Sequence, residues 1–253
     1  MEGKNMTDRK NKIFGERKRP ELHMNKKAVI IFLIVLFAAV AVVWAVFVAL
    51  KKQESTGIGE GAYYYAIDEK ASIPDGSILR RKDDVTRVEN DGHEYSLTGS
   101  MIYEDKGKTM LFQGDMLWYD MNTDSMKRIP YFSRMGRDGS KFTVKKGHSE
   151  KQVSGGFLYD NGDLYVLLED AQLSYGEETI NLDAGTVISC ALSGDVQIVA
   201  GDGSCTYLEQ PGQQLAVTFG NGCVLNPLAD TYYQTNGTWR ILFTTPSMVP
   251  ELS

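Results

Sequence analysis

Histidine and cysteine are scarce, with three of each in 253 residues. Beyond residue 50 only His93 and His148 remain, and neither sits in a nucleophile motif such as Gly-x-Ser-x-Gly. Catalysis by a Ser/His/Asp or Cys/His group needs a histidine beside its nucleophile. Both histidines therefore read as solvated loop residues, and no enzyme is expected. The absence of Cys-x-x-Cys leaves zinc without support from spacing. Neither a Walker loop nor a strand-following Gly-x-Gly-x-x-Gly is present, so no cofactor site is expected. Past residue 60 no convincing helical period is found, which removes helical bundles from consideration.

Charge is missing altogether from AVIIFLIVLFAAVAVVWAVFVAL, residues 28–50, as are Asn, Gln, Gly and Pro. As a helix at ~1.5 Å per residue this run spans about 34 Å, slightly more than a ~30 Å hydrocarbon core. Only a helix satisfies its own amides in lipid. The run is longer than a secretory signal's apolar region and no good small-x-small cleavage site precedes Lys51, so a retained signal anchor is expected. Residues 1–27 carry nine Lys/Arg against four acids, whereas residues 51–253 carry eighteen against twenty-nine. That asymmetry predicts a cytoplasmic N-terminus and an extracytoplasmic remainder at a cell membrane.

The basic tail, KNKIFGERKRPELHMNKK, has no interleaved aromatics and no recognition motif, so nucleic acid is not an expected partner. The lipid bilayer is, through the apolar run and through anionic headgroups. Within the run Ala41, Ala45 and Ala49 form a small-residue stripe suited to helix packing in a homodimer. The abundance of alanine in membrane helices explains the same spacing.

Cys190, Cys205 and Cys223 all lie in the last third of the chain. The local pattern predicts strands near 186–191, 195–200, 204–208, 213–219 and 222–226. In a simple meander each cysteine would sit two strands from the next, about 9.6 Å away. A disulfide needs Cα atoms within ~7 Å. Buried free thiols are expected.

What is abundant is turn punctuation. Asp75-Gly76, Asp91-Gly92, Asp138-Gly139, Asn161-Gly162, Asp202-Gly203, Asn221-Gly222 and Asn236-Gly237 suit tight hairpins. Between them run short segments rich in Tyr, Val, Ile, Phe and Thr, such as AYYYAI, TMLFQG and DLYVLLED. The expectation is a mainly β domain, a sandwich, roll or barrel of short antiparallel strands, outside the membrane and preceded by one transmembrane helix. The predicted organisation is a basic tail (1–27), the helix (28–50), a glycine-rich tether (51–61) and the β domain (62–253). Residues 101–119 align without gaps on 157–175, a repeated hairpin or a chance likeness between two hairpins.

Asp83-Asp84 and Glu177-Glu178 are adjacent carboxylates, which a strand directs to opposite faces. Asp120-Met-Asn122-Thr-Asp124 alternates oxygen ligands, but Ser125 replaces the calcium-loop glycine and Tyr131 the bidentate Glu, so a hairpin reads better. Asn236-Gly237-Thr238 is a glycosylation sequon and also a turn. Tandem aromatics, above all Trp118-Tyr119 and Tyr232-Tyr233, place rings on both faces of a strand. One ring of each pair is a candidate platform for a sugar or a protein partner. Sharing the rings between two packed sheets is the structural alternative.

The stretch CALSGDVQIVAGDGSCTYLEQPGQQLAVTFGNGCVL resembles the β-rich outer segment of FecR-type transmembrane regulators. That resemblance implies a signal passed to the cytoplasmic tail. MIYEDKGKTMLFQGDMLWYD resembles the strand repeats of envelope lipid-transport β-jellyrolls. The expected function is a non-catalytic binding or scaffold protein of the cell envelope, its partner an envelope polysaccharide or another membrane protein. A transmembrane sensor is the first alternative and an envelope polysaccharide hydrolase the second.

Overall fold

A computed structural model describes residues 26–252 apart from 51–53, 67–68, 83–84, 98–100, 140, 161–162, 213, 235–236 and 243. The chain divides into two units, Met1–Lys52 and Gln53–Ser253. In the first, α1 (Lys26–Leu50) is a single helix. Its side chains are described from residue 30 to residue 44, and all are exposed, Phe37 and Trp44 at 72% and 70%. Among the described residues no helix is long and apolar enough to cross a membrane.

The second unit is antiparallel β throughout its named strands, arranged in four sheets that the chain visits in a repeating order. It lays β1 (Glu54–Gly57) in sheet 1, then β2 (Tyr63–Ala66) and β3 (Glu69–Ser72) in sheet 2. It returns to sheet 1 for β4 (Ile78–Lys82), β5 (Val85–Asn90) and β6 (His93–Tyr95), and to sheet 2 for β7 (Ile102–Glu104) and β8 (Thr109–Leu111). Sheet 3 begins with β9 (Met116–Asp120) and β10 (Ser125–Ile129), after which β11 (Arg134–Asp138), β12 (Lys141–Lys146) and β13 (Ser149–Val153) finish sheet 2. Next come β14 (Phe157–Tyr159) and β15 (Leu164–Leu167) in sheet 3, then β16 (Ala171–Tyr175) and β17 (Glu178–Leu182) in sheet 4. Sheet 3 closes with β18 (Val187–Cys190), β19 (Val196–Val199) and β20 (Cys205–Leu208). Sheet 4 closes with β21 (Ala216–Phe219), β22 (Val224–Asn226), β23 (Thr231–Tyr233) and β24 (Trp239–Ile241).

Three cores lie between four layers. Leu79 and Val88 of sheet 1 meet Ile102 and Leu111 of sheet 2 in one. Tyr103, Met135 and Phe142 of sheet 2 meet Trp118, Leu158 and Val187 of sheet 3 in the next. Tyr119, Phe157 and Tyr165 of sheet 3 meet Val217, Phe219 and Tyr232 of sheet 4 in the third. Strand alternation sends successive residues to opposite faces, so Met116 and Trp118 face one core while Leu117 and Tyr119 face the other. Sheets 2 and 3 are thus buried on both sides, which is why LYVL in β15 is apolar at every position.

Sheets 2 and 3 share one topology, a hairpin, a second hairpin and a three-strand meander, in the orders β3-β2-β7-β8-β11-β12-β13 and β10-β9-β14-β15-β18-β19-β20. The spacing is regular: β4, β5 and β6 begin at Ile78, Val85 and His93, and β11, β12 and β13 begin 56 residues later at Arg134, Lys141 and Ser149. The aligned segments 101–119 and 157–175 belong to this period. Each is a hairpin (β7-β8, β14-β15) followed by a strand in the next sheet (β9, β16). Such stacking explains the period physically, since a sheet apolar on both faces cannot bury itself alone.

Three sequence expectations need correction. The mainly β, antiparallel reading holds, and its finer form, a sandwich, roll or barrel, gives way to four sheets with three cores between them. Residues 54–57, read as tether, form β1 and pair with β4 from Glu54↔Arg81 to Gly57↔Ile78, while Ile58 is buried. Their small and hydroxyl side chains suit the edge strand of a sheet with one polar face. The meander through the three cysteines breaks after Leu208, where the chain leaves sheet 3 and β21 pairs with β16. Cys190 and Cys205 lie on opposite faces of sheet 3, and Cys223 lies in the core beneath sheet 4. None of the three is in a disulfide.

Candidate functional site

The aromatic candidates from the sequence are mostly interior. Trp118, Tyr119 and Tyr232 are 8%, 2% and 1% exposed. Trp118 donates from Nε1 to the Gly155 carbonyl at 3.1 Å, and the Tyr119 hydroxyl donates to Asp124 Oδ1 at 2.5 Å. Tyr119 and Tyr232 stack edge-to-face with centroids 4.8 Å apart. These rings are spent on joining sheets: both faces of sheet 3, which holds Trp118 and Tyr119, are covered, and Tyr232 of sheet 4 faces inward. Tyr233 lies in β23, and its side chain falls outside the described residues. Of the alanine stripe, Ala41 is exposed, and the side chains of Ala45 and Ala49 fall outside them as well.

Other chemical candidates are used within the fold. Asp120 accepts from Asn122 N and Thr123 Oγ1 inside the β9-β10 hairpin. Asp124 accepts from Tyr119, from Gln234 Nε2 at 2.7 Å and from Arg240 Nη2 at 2.7 Å, which ties sheet 3 to sheet 4. The Tyr119 hydrogen bond foremost, with Gln234 and Arg240, holds the Asp124 carboxyl below its usual range. Glu178 accepts from the Tyr175 hydroxyl, and Asp83-Asp84 lies outside the described residues. His93 and His148 are exposed. Among the described residues no group of three or more His, Cys, Asp or Glu is arranged to hold a metal. Burial foremost, with Asp163, Asp230 and Asp160 nearby, pushes the Cys190 thiol up to about 12, so it stays protonated at neutral pH.

The surface that stands out is the outer face of sheet 4. Leu173, Val217, Phe219, Leu225 and Tyr232 point inward to the core, so their strand neighbours point outward. The registers align these neighbours in two rows across six strands. One runs Asn181, Gln172, Thr218, Val224 and Trp239, with the backbone register position of Tyr233 between the last two. The other holds Thr179, Ser174, Ala216, Asn226, Thr231 and Ile241. None of the twelve is charged. Gln172 Nε2 donates to Asn181 Oδ1 at 3.3 Å, and Trp239 and Ile241 are 56% and 76% exposed.

Its surroundings are acidic, because residues 152–253 hold twelve Asp/Glu and one base, Arg240. Sequence reasoning singled out none of the described side chains on this face. The available signal was the alternation of Ser, Thr, Asn and Gln with apolar residues in AQLSY, ETINL and AVTF, with charge confined to strand ends.

Comparison with protein-family models, with curated proteins and with solved structures finds no match to this chain. The resemblances to FecR-type regulators and to lipid-transport jellyrolls therefore rest on the quoted residues alone and assign no family.

Proposed function

We propose that this chain is a single-pass, membrane-anchored, non-catalytic binding protein of the cell envelope, and that the outer face of sheet 4 binds an uncharged polysaccharide. The carrying observation is the pair of uncharged rows on that face. Hydroxyl and amide side chains exchange hydrogen bonds with sugar hydroxyls at little desolvation cost, whereas a buried charge would need a partner the ligand lacks. Trp239 adds exposed ring surface at one edge. The acidic field of the second half disfavours polyanions such as uronate or phosphate polymers.

Support for the anchor is the uncharged run 28–50, its helical conformation in α1 and the exposure of every described side chain from residue 30 to residue 44. The basic tail then lies in the cytoplasm and the β unit outside it. Two measurements test the reading with the full chain. Alkaline carbonate should leave it in the membrane fraction, and detergent-solubilised chain should co-sediment with an insoluble neutral polysaccharide. Release by carbonate would remove the anchor, and failure to co-sediment with any neutral glycan would remove the binding role.

A further inference from the structure

Resting on the reading of sheet 4 as a glycan surface, we infer that its ligand is an extended, ribbon-like, β-linked neutral chain lying across the strands, along the two rows. Direction follows from geometry. Neighbouring strands are ~4.8 Å apart, so a row across six strands offers a contact every ~4.8 Å over roughly 24 Å. Along any one strand the face offers two outward residues about 6.7 Å apart. A chain crossing the strands meets a row position on each of up to six strands, and one running along a strand meets two.

Chemistry changes along the rows, and this selects the ligand's shape. At the β16-β17 side stand Gln172, Asn181, Thr179 and Ser174, and at the β24 edge Trp239 and Ile241. A ribbon of β-linked pyranoses presents hydroxyls along its edges and apolar C–H surface on its ring faces, so both kinds of contact are available to one chain. A coiled α-linked chain turns its rings away from a flat face within a few sugars. A second copy of this protein fits less well. The face measures roughly 24 Å by 13 Å, about 300 Å², against the ~800 Å² per partner of a stable protein interface. The outer face of sheet 1 does not offer the complement either, since Arg80, Lys82, Arg87, Glu89 and Glu94 line it, with Arg80 paired to Glu89 and Arg87 to Glu94.

The test uses full chain in detergent micelles and isothermal titration with three soluble probes: β-linked gluco-oligosaccharides of increasing length, an α-linked glucan and polygalacturonate. Affinity for the β-linked series should rise with length until the oligosaccharide spans the row and then level off. The α-linked glucan should bind at least tenfold more weakly, and polygalacturonate should not bind. Thr218→Lys, at the centre of one row, and Trp239→Ala, at its end, should each weaken the longest β-linked probe at least tenfold. Arg87→Thr on sheet 1 should not. Outward substitutions should leave the near-ultraviolet circular dichroism of the buried aromatics unchanged. An affinity that stops rising after two sugars, or equal binding of the α-linked glucan, overturns the cross-strand ribbon and leaves the binding role standing. Absence of binding by every neutral probe overturns the role as well.

Discussion

Sheets 1 and 4 are the two ends of one stack, and each has a single face that no other sheet covers. They solve that exposure differently. On sheet 1 the register sets Arg80 opposite Arg87 and Glu89 opposite Glu94. The ion pairs run along the diagonals instead, Arg80 to Glu89 and Arg87 to Glu94. The result is a checkerboard of charge that keeps the end wet and discourages stacking on a second sheet. Sheet 4 meets the same requirement without a charge in either row. Charge is thus available to this chain as an end cap and is withheld at one end, which points to sheet 4 rather than sheet 1 as the working surface.

The comparison is sharpest in the cores beneath the two ends. Under sheet 4, Phe157 is fully buried and packs against Tyr119, Tyr159, Tyr165, Phe219 and Tyr232. Phe157→Ala should cost about 3–5 kcal/mol in urea unfolding. Leu79→Ala, in the smaller core under sheet 1, should cost about 2–5 kcal/mol. Equal costs would mean that the two ends are held alike inside and differ only on their outer faces.

Each end sheet is also tied to its inner neighbour by a carboxylate and an arginine. At the sheet 1 end, Glu104 is 5% exposed and accepts from Gly59 N at 2.7 Å and from Arg134 Nε at 2.7 Å. Arg134 in turn donates from Nη2 to the Gly57 carbonyl at 2.6 Å. Glu104→Ala strands the guanidinium and the Gly59 amide, and should cost ~3 kcal/mol, the lower end for a broken buried pair because Arg134 is partly solvated. Glu104→Gln keeps the acceptor for Gly59 and should cost less. If both variants unfold at the wild-type urea midpoint, the clamp does not hold sheet 1.

A third prediction addresses function at the two faces directly. Gln172→Glu places one negative charge among uncharged neighbours, and should weaken neutral-glycan binding by about tenfold, or ~1.4 kcal/mol. Glu89→Gln on sheet 1 should leave binding unchanged and shift stability by less than about 0.5 kcal/mol. A larger binding loss from the sheet 1 variant would move the working surface to the other end.

Much of this fold was legible, and the misses share a cause. Turn dipeptides were readable because their backbone demands are local: Asp91 and Gly92, with φ of 47° and 77°, join β5 to β6 in a two-residue hairpin. Part of the 56-residue period was visible as a hairpin echo, because β7-β8 and β14-β15 both face apolar neighbours. What could not be read was how many layers there were. In sheets 2 and 3 both faces are apolar, so LYVL or MLWY carries no alternation to show which core each residue joins. Tandem aromatics such as Trp118-Tyr119 therefore left two readings open, one ring facing out or both shared between packed sheets, and each ring has its own core. The outer rows of sheet 4 were overlooked because uncharged polar residues resemble loop composition until the registers line them up.

The smallest effect should come from the tie at the sheet 4 end, where the carboxylate is exposed. Asp124 and Arg240 have side chains 44% and 42% exposed, and an ion pair so solvated contributes less than about 1 kcal/mol and weakens with salt. Its pH dependence has a fixed sign. The Asp124 carboxyl is lower in the folded chain than in the unfolded one, chiefly because the Tyr119 hydroxyl donates to the carboxylate. Its stabilisation is therefore fully present above the unfolded value near ~3.9 and is lost as pH falls through the lower folded value. Asp124→Asn should reduce stability slightly at pH 7 and leave it unchanged at acid pH, where wild-type Asp124 is itself neutral. Urea midpoints of the two chains at pH 7 and at successively lower pH measure the convergence. A gap that persists in acid would assign the effect to the Tyr119 and Gln234 hydrogen bonds rather than to charge, making the sheet 4 tie more like the buried clamp at the opposite end.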